Sequence, residues 1–290
     1  INKTMDSDDL MTLEAKEIIN ELNELILNVK NKGLKISSWF GMFDLKGEKD
    51  TFEWINRGYG YSNLAGSVDD NNFPWFLYWE IIWIVEHNKF NKNHKVLDLG
   101  GSSSLFSYYL ASKGLEVITV DIQNNLVENA NFVARKMGWN LNNYCMDIRA
   151  LDFDIEFDHI TSICVFEHIP IYDRVYINHE IKKLLKPGGD FSITFDYRNP
   201  SKQARICTPN DVYEQFIAPS GLEIRGNKEF CENGKSYLLH PFFYNKQNRF
   251  MREYKLHEVK SGNFDKSLIN VIKNGNDYTF GALFLKKFKS

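Results

Sequence analysis

Hydrophobic positions along the chain follow two different periods, and the change between them divides the sequence into two parts. Up to residue 92, apolar side chains recur every three or four positions, which predicts helices at residues 15–29 and 74–87. From residue 95 onward, short apolar runs alternate with helical stretches, which predicts a parallel sheet with helices on both faces. The predicted strands are 95–99, 116–120, 143–145, 157–165, 191–195, 222–224 and 278–285. The predicted helices between them are 105–113, 124–137, 172–185 and 211–217.

The first 92 residues are predicted to form a helical cap or lid. Aromatic residues make up 14% of the chain, and twelve of them are crowded into residues 36–80. Their rings either close over a ligand and exclude water, or simply pack the cap onto the sheet. The candidates for closing over a ligand are Tyr59, Tyr61, Trp75 and Trp79. A second departure from the strand and helix pattern is the stretch 226–275, which is polar and is predicted to be an irregular insertion.

Composition and charge disfavour several classes of protein. With 43% hydrophobic and 25% charged residues, the 290-residue chain is typical of globular proteins rather than disordered or fibrous ones. Its net charge of −3 offers no basic field to nucleic acid. Its most apolar run, residues 73–85, is interrupted by Glu80 and is too short to span a bilayer. The four cysteines lack zinc or disulfide spacing, so we expect reduced, mostly buried thiols and a cytoplasmic protein. The expected partner is a small molecule, with no nucleic acid and no membrane, and the expected state is a monomer or homodimer.

Candidate chemistry lies where the first two strands of the sheet end, because ligands of doubly wound sheets bind at the carboxyl ends of the strands. The first strand leads into Gly100 and Gly101, which allow close approach of a ligand to the backbone, and then into three serines. The second strand ends at Asp121, at the spacing at which a carboxylate binds the hydroxyls of a ribose. Together these features indicate an adenosine-type ligand, either a dinucleotide or S-adenosyl-L-methionine.

The glycine loop does not fit a dinucleotide. The fingerprint requires Gly-x-Gly-x-x-Gly, and from Gly100 the later glycine positions hold Ser102 and Leu105. From Gly101 they hold Ser103 and Phe106, so both registers fail twice. A pyrophosphate needs those glycines for close backbone approach, whereas S-adenosyl-L-methionine has no phosphate. The failure therefore favours S-adenosyl-L-methionine over NAD.

An ordered set of short motifs resembles the class I S-adenosylmethionine-dependent methyltransferases, in particular their small-molecule group. The set covers roughly residues 93–225 and the last strand, and its members are Val96–Ser104, Asp121, Cys145–Ile148, Phe157–Pro170 and Leu185–Gly189. The resemblance implies an α/β, Rossmann-like, doubly wound and mostly parallel seven-stranded sheet with an antiparallel last strand. It also implies that residues 93–290 are the S-adenosylmethionine-binding methyltransferase domain. Independently of the resemblance, the residues Lys186-Pro187-Gly188-Gly189 predict a turn.

The same resemblance assigns expected contacts to S-adenosyl-L-methionine, whose product would be S-adenosyl-L-homocysteine. The expected cofactor-binding residues are Gly100, Gly101 and Ser102 for the methionine part, Asp98 and Val165 for its ammonium group, Asp121 for the ribose hydroxyls, and Ile122, Asp147 and Ile148 for the adenine. Ser102 departs from the family pattern, which usually has a further glycine at that position.

His168 is the expected catalytic base, with Glu167 orienting it. It follows the fourth strand beside the expected methyl position, and imidazole chemistry suits proton transfer near neutrality. The alternative for His168 is a packing or capping role at a helix start. Some methyltransferases with Glu-His here bind a divalent metal and have another acid three positions earlier, but Cys164 stands there, so no metal is expected. Further candidates for the same cleft are Asp196, Tyr197 and His240.

The expected activity is methyl transfer to an oxygen or nitrogen of a small polar metabolite, which the neutral, aromatic-rich cap suggests is a sugar or surface-polysaccharide precursor. Arg57 and Arg205 are candidates to meet an acidic group on it. One alternative, a nucleic-acid or protein methyltransferase, is disfavoured by the net charge and by Val165–His168, which is not an Asn-Pro-Pro-Tyr type segment. The other alternative is a non-catalytic cofactor-binding scaffold, because a fold does not fix a function.

Overall fold

Helices and strands alternate through the chain much as the hydrophobic pattern predicts. The computed structural model describes residues 1–37, 75–199, 206–237, 271–272 and 279–288. The strands are β1 (Lys3–Thr4), β2 (Lys95–Leu99), β3 (Glu116–Asp121), β4 (Leu141–Cys145), β5 (Phe157–Ile163), β6 (Leu185–Tyr197), β7 (Glu223–Ile224), β8 (Ser236–Tyr237), β9 (Val271–Ile272) and β10 (Thr279–Lys286). The helices are α1 (Leu13–Asn31), α2 (Trp75–His87), α3 (Leu105–Ser112), α4 (Asn124–Met137), α5 (Ile171–Leu184) and α6, which joins Pro209–Val212, the π-helical Tyr213–Ile217 and Ala218–Ser220. Short 3-10 helices are formed by Ser7–Met11, Ile148–Ala150 and Phe166–His168.

One mixed sheet organises the molecule. Its strand order is β4-β3-β2-β5-β6-β10-β1, and β7 also pairs with β10. Strands β2 to β6 run parallel, while β10 is antiparallel to β6, β7 and β1. The predicted α/β sheet with an antiparallel last strand is confirmed, and β1 adds an eighth strand that is too short to produce a recognisable period. Strand order reverses between β2 and β5, so a ligand is expected at the carboxyl ends of these two strands.

Strand β2 is buried on both faces, which explains why it reads as an apolar run. Val96 packs into one hydrophobic cluster, while Leu97 and Leu99 pack into a second cluster. Because side chains alternate along a strand, Asp98 lies on the same face as Val96. This alternation places a carboxyl in the interior, directly before the glycine loop.

The segment Lys186–Gly189 lies inside β6 and does not form a separate turn, so that prediction is wrong. Leu185 pairs with Phe157, and the next registered pair is His159 with Asp190, so the register shifts between them. Residues 186–189 of β6 thus lie opposite residue 158 alone, and Gly188 among them has a positive φ of 82°.

Helix α2 packs against α1 and against strands β6 and β10. Trp79 is fully buried, stacks on Trp83 with ring centroids 5.7 Å apart, and donates from its indole nitrogen to Asp9 Oδ2 at 2.8 Å. This supports the packing interpretation for Trp79 and not the lid interpretation. Tyr59, Tyr61 and the side chain of Trp75 lie outside the described residues. Among the described helices, none is both long enough and apolar enough to cross a membrane.

Two smaller features differ from the sequence prediction. Strands β8 and β9 pair antiparallel, so the insertion at 226–275 contains regular structure. All four cysteines are free, but Cys145 and Cys231 are exposed, so mostly buried thiols were the wrong prediction for these two.

Candidate active site

The loop after β2 is shaped around two glycines. A Cβ atom at Gly101 would lie 1.8 Å from Asp98 Oδ2, which no real atom could tolerate. Gly100 has a φ of +74°, and a Cβ atom there would lie 2.6 Å from Val165 Cγ2. Gly100 therefore allows the end of β2 to approach the segment after β5 closely, at the point where the strand order reverses, and Gly101 allows the loop to fold over Asp98.

Asp98 is a buried carboxyl beneath this loop. Ser107 Oγ donates to its Oδ2 at 2.6 Å, and Thr161 Oγ1 donates to its Oδ1 at 2.9 Å. Burial raises the pKa of Asp98 to about 7, although the two hydrogen bonds act in the opposite direction. A cation bound nearby would favour the ionised carboxylate, so the site suits a positively charged ligand.

The three serines of the loop direct their side chains into the protein. Ser102 Oγ lies 2.7 Å from Thr119 Oγ1 in β3, and Ser103 Oγ donates to the carbonyl of Leu126 in α4 at 2.7 Å. Ser104 is the N-cap of α3, a role that its side chain predicts. The hydroxyl of Ser102 is thus used within the fold, and its backbone is the part left to meet a ligand.

Asp121 and Ile122 stand at the end of β3, next to the loop. Asp121 is buried, and its Oδ1 accepts a hydrogen bond from the backbone N–H of Gln123 at 2.9 Å. Burial raises its pKa to about 6. Ile122 is 71% exposed, so its side chain is accessible to a flat ring placed beside Asp121.

Asp147 and Ile148 follow β4, one strand further out. The carboxylate of Asp147 accepts from the backbone N–H of Arg149 at 2.9 Å and pairs with the Arg149 guanidinium at 2.5 Å. The side-chain bond to Arg149 holds the pKa of Asp147 below its usual value. Ile148 is half-buried and packs against the cluster that contains Leu97. An adenine amino group that donates a hydrogen bond to Asp147 would therefore share this carboxylate with the Arg149 guanidinium.

Val165, Glu167 and His168 lie in a tight turn after β5. Cys164 has a φ of +53°, and Phe166–His168 form a 3-10 helix in which the Val165 carbonyl accepts from the His168 N–H at 3.0 Å. The His168 side chain is exposed and that of Glu167 is buried, with His168 Nε2 lying 3.9 Å from Glu167 Oε1. This distance permits a charge interaction but is too long for the orienting hydrogen bond that the sequence suggested.

A buried acidic cluster lies behind this turn. Donor atoms of Cys164, Glu167 and Asp196 all lie within 4.8 Å of one another. Glu80 from α2 joins them and accepts from Cys164 Sγ at 2.7 Å. Burial raises the pKa of Glu80 well above its usual value, and the charges of Glu167 and Asp196 act in the same direction. A thiol and three carboxyls are able to bind a divalent cation, so the expectation of no metal stays a prediction.

The sequence analysis did not single out Arg174, whose side chain forms hydrogen bonds with the backbone of the turn after β5. Its fully buried guanidinium donates to the carbonyls of Phe166 and Ile169, each at 3.0 Å. The available signal was its spacing, because Arg174 falls on the same helical face as Ile177 and Ile181. Glu80 was missed in the same way, as the one carboxylate within the apolar first half of α2.

Of the remaining sequence candidates, only Tyr197 lies among the described residues, and its side chain points to another partner. The hydroxyl of Tyr197 donates to Glu232 at 2.7 Å. Arg57, Arg205 and His240 lie outside the described residues.

Comparison with known proteins shows that the central part of the chain is similar to methyltransferases. Residues 96–189 match a family model described as "Methyltransferase domain". A curated relative from Coxiella burnetii, "Ubiquinone biosynthesis O-methyltransferase", is 36% identical over 162 residues, which is 51% of this chain and 65% of the relative. A relative of the same description from Erwinia tasmaniensis is 29% identical over 141 residues, which is 48% of this chain and 57% of the relative. The chain therefore spans less than two thirds of the length of these curated relatives.

Solved structures share the fold at low sequence identity. The [4+2]-cyclase SpnF has a TM-score of 0.52 at 17% identity, over 72% of this chain and 81% of that one. A Haemonchus contortus phosphoethanolamine N-methyltransferase 2, solved with S-adenosyl-L-methionine, has a TM-score of 0.50 at 16% identity, over 71% of this chain and 51% of that one. At such identities the likeness shows the architecture alone.

Proposed function

Because residues 96–189 form a class I S-adenosylmethionine-dependent methyltransferase domain, we propose that the protein transfers a methyl group to an oxygen atom of a small molecule. The observation that carries the proposal is the glycine loop, in which the buried Asp98 carboxyl occupies the space that a side chain at Gly101 would fill. The curated relatives are described as O-methyltransferases, which supports oxygen over nitrogen. No comparison supports a sugar or surface-polysaccharide acceptor, and the proposal does not include one.

The charge of the site suits this cofactor. Asp98 and Asp121 are buried carboxyls with raised pKa values, so a ligand that carries both an ammonium and a sulfonium ion favours their ionised forms. In the proposed arrangement, the ammonium group lies near Asp98 and the ribose hydroxyls donate to Asp121. The other proposed contacts are the loop Gly100, Gly101 and Ser102, the carbonyl of Val165, and, around the adenine, Ile122, Asp147 and Ile148.

When bound, the cofactor supplies a methyl group made electrophilic by a positively charged sulfur. An acceptor hydroxyl must lose its proton as the new oxygen–carbon bond forms, and His168 accepts that proton on its imidazole ring. Glu167 is 3.9 Å from His168 Nε2, so its carboxylate stabilises the protonated ring through charge. A base in this role contributes roughly 10²–10⁴-fold to the rate.

Several wider predictions stay predictions: the cytoplasmic location, the monomeric or homodimeric state, and the lack of nucleic-acid and membrane partners. The same holds for the division into a cap at residues 1–92 and a methyltransferase domain at residues 93–290.

Direct binding measurements test the cofactor assignment. Isothermal titration should show binding of S-adenosyl-L-methionine and S-adenosyl-L-homocysteine and no binding of NAD. Asp121→Asn should weaken the cofactor affinity by roughly 10- to 150-fold, because a charge-assisted hydrogen bond contributes about 1.5–3 kcal/mol. The exposed Asp154→Asn is the matched control and should bind as the original protein does. Binding of NAD alone would contradict the assignment.

Turnover measurements test the base. With phenols, other alcohols, amines and sugars offered as acceptors, methylation should be found on hydroxyl groups. For the acceptor that is methylated, His168→Ala should lower kcat by roughly 10²–10⁴-fold while cofactor affinity is retained. The exposed His179→Ala on α5 is the control. Cofactor binding without methylation of any acceptor would instead favour the non-catalytic scaffold.

A further inference from the structure

Two sets of hydrogen bonds connect the loop at residues 100–104, here called the cofactor loop, to the neighbouring strand and helix. The two sets begin at consecutive serines. Ser102 contacts β3 through Thr119, and Ser103 contacts α4 through Leu126. Both serines are buried, although they lie in the loop whose backbone is proposed to meet S-adenosyl-L-methionine. Apart from Ser102, the residues of the two sets are not among the proposed cofactor contacts.

The first set runs from Ser102 into β4, and its direction is fixed by one unambiguous donor. The backbone N–H of Asn143 must donate, and it lies 3.1 Å from Asn131 Oδ1, which identifies that atom as the amide oxygen. Asn143 Nδ2 also donates to the same oxygen, at 3.0 Å, so Asn143 Oδ1 is the atom that faces Thr119. Thr119 donates its single hydrogen to that oxygen at 2.5 Å. Ser102 must therefore donate to Thr119, and its hydroxyl hydrogen is directed away from the ligand side of the loop.

The second set surrounds Ser103, which has a left-handed φ of 63° that side chains rarely adopt. Its hydroxyl donates to the carbonyl of Leu126 and accepts from Asn129 Nδ2 at 2.9 Å. Asn129 Nδ2 also donates to the carbonyl of Lys35 at 3.1 Å, so this one amide connects the loop to the segment after α1. The backbone N–H of Ser37 donates to the Ser103 carbonyl at 2.7 Å, which adds a second connection to that segment.

We propose that Thr119 and Asn129 are positioning residues for the cofactor, because they hold Ser102 and Ser103 so that the loop is already in its binding conformation before the ligand arrives. The proposal rests on the proposed function, since it assigns a purpose to the loop as a cofactor site. Neither residue touches the cofactor in this arrangement. The apparent dissociation constant equals the intrinsic dissociation constant divided by the fraction of molecules whose loop is competent to bind. Hydrogen bonds that hold the loop in its binding conformation raise this fraction and so lower the apparent dissociation constant.

Two variants with matched controls test the proposal. Thr119→Val keeps the β-branched shape and removes the hydroxyl, while Thr119→Ser restores a hydroxyl and should rescue the effect. Asn129→Ala removes the amide from the half-buried side of α4, and Asn142→Ala, at an exposed position of β4, is its control. Each of the two test variants should raise the dissociation constant for S-adenosyl-L-methionine, and its KM, about tenfold with kcat nearly unchanged, which corresponds to a tenth of the molecules remaining competent. The two controls should stay within twofold of the original protein.

Amide hydrogen exchange in the ligand-free protein separates this proposal from the proposed function. Exchange at residues 100–104 should become faster in Thr119→Val and Asn129→Ala and stay unchanged in the controls, whether or not S-adenosyl-L-methionine binds. If the original protein does not bind S-adenosyl-L-methionine, the proposed function fails, and the exchange measurement still decides whether the loop is held in this way. Unchanged exchange together with unchanged affinity in folded variants would overturn the positioning role. Asn129→Ala carries the test if Thr119→Val does not fold, because the side chain of Asn129 is only partly buried.

Discussion

At the scale of single residues, the candidate site depends on how closely the carboxyl of Asp98 approaches Gly101, which has no side chain. Asp98 Oδ2 occupies the volume that a Cβ atom at Gly101 would need, so Gly101 cannot be replaced by a residue with a side chain unless Asp98 moves. The same carboxyl is buried and has a raised pKa. A ligand-free protein with such a group keeps it partly protonated near neutrality, and a cationic ligand removes the proton.

The contributions of Asp98 and Asp121 to the stability of the ligand-free protein and to the affinity for the cofactor should respond to pH in opposite directions. Asp98, with a pKa of about 7, and Asp121, with a pKa of about 6, bind protons more tightly in the folded protein than in the unfolded chain. Their contribution to the free energy of unfolding is full below about pH 4 and is lost as the pH rises through the two folded-state values. Affinity for the cationic cofactor should rise over the same interval, because both acids become ionised.

Urea unfolding and isothermal titration at pH 5 and pH 8 check this expectation. Asp98→Asn should reduce the loss of stability between the two pH values and should also reduce the gain in affinity. The exposed Asp154→Asn should leave both pH dependences unchanged. An affinity that falls from pH 5 to pH 8 would be inconsistent with ionised acids binding the cofactor.

At the scale of elements, helix α2 explains how a nearly continuous apolar segment comes to contain a carboxyl. The helix packs against α1 on one side and against β6 and β10 on the other, so most of its circumference is buried. Glu80 is carried into this interior and reaches Cys164 in the turn after β5. Its raised pKa follows from burial, reinforced by the nearby Glu167 and Asp196.

Glu80→Gln should stabilise the protein at high pH relative to low pH. A glutamine has the shape of the protonated glutamate and cannot ionise, so it removes the loss of stability that occurs as the pH rises through the folded-state pKa of Glu80. Urea unfolding at pH 5 and pH 8 measures the difference between the variant and the original protein. The exposed Glu128→Gln on α4 serves as the control, and a Glu80→Gln effect that is larger at pH 5 would contradict a neutral Glu80.

At the scale of the whole molecule, the two ends of the described chain meet in one sheet. Strand β1 pairs with β10, and the fully buried Asn2 accepts from the backbone N–H of Phe284 at 2.7 Å and donates to the carbonyl of Arg225 at 2.7 Å. The cluster that contains Val96 also includes residues of α1 and α2. The first helices and the sheet therefore share one hydrophobic interior.

Asn2→Ala should lower the melting temperature of the whole protein by about 2–12 °C in a single transition. Leaving buried backbone groups unsatisfied costs about 1–3 kcal/mol, and each 1 kcal/mol shifts a chain of this size by about 2–4 °C. Differential scanning calorimetry measures the shift, with the exposed Asn140→Ala as the control. Two separate transitions would show that the N-terminal helices and the sheet unfold independently.

The sequence by itself determined the order of strands and helices, the glycine loop and the strand-end acids Asp98 and Asp121. These features follow from local periods and short motifs, and in a parallel sheet the chain order alone places successive strand ends on one edge. Only the tertiary structure decided that Ser102 faces Thr119, that Arg174 lies beneath the turn, and that Glu80 reaches Cys164 across 84 positions of sequence. The physical reason is that a periodic pattern specifies which face of an element is buried, whereas the partner met on that face depends on elements distant in the chain.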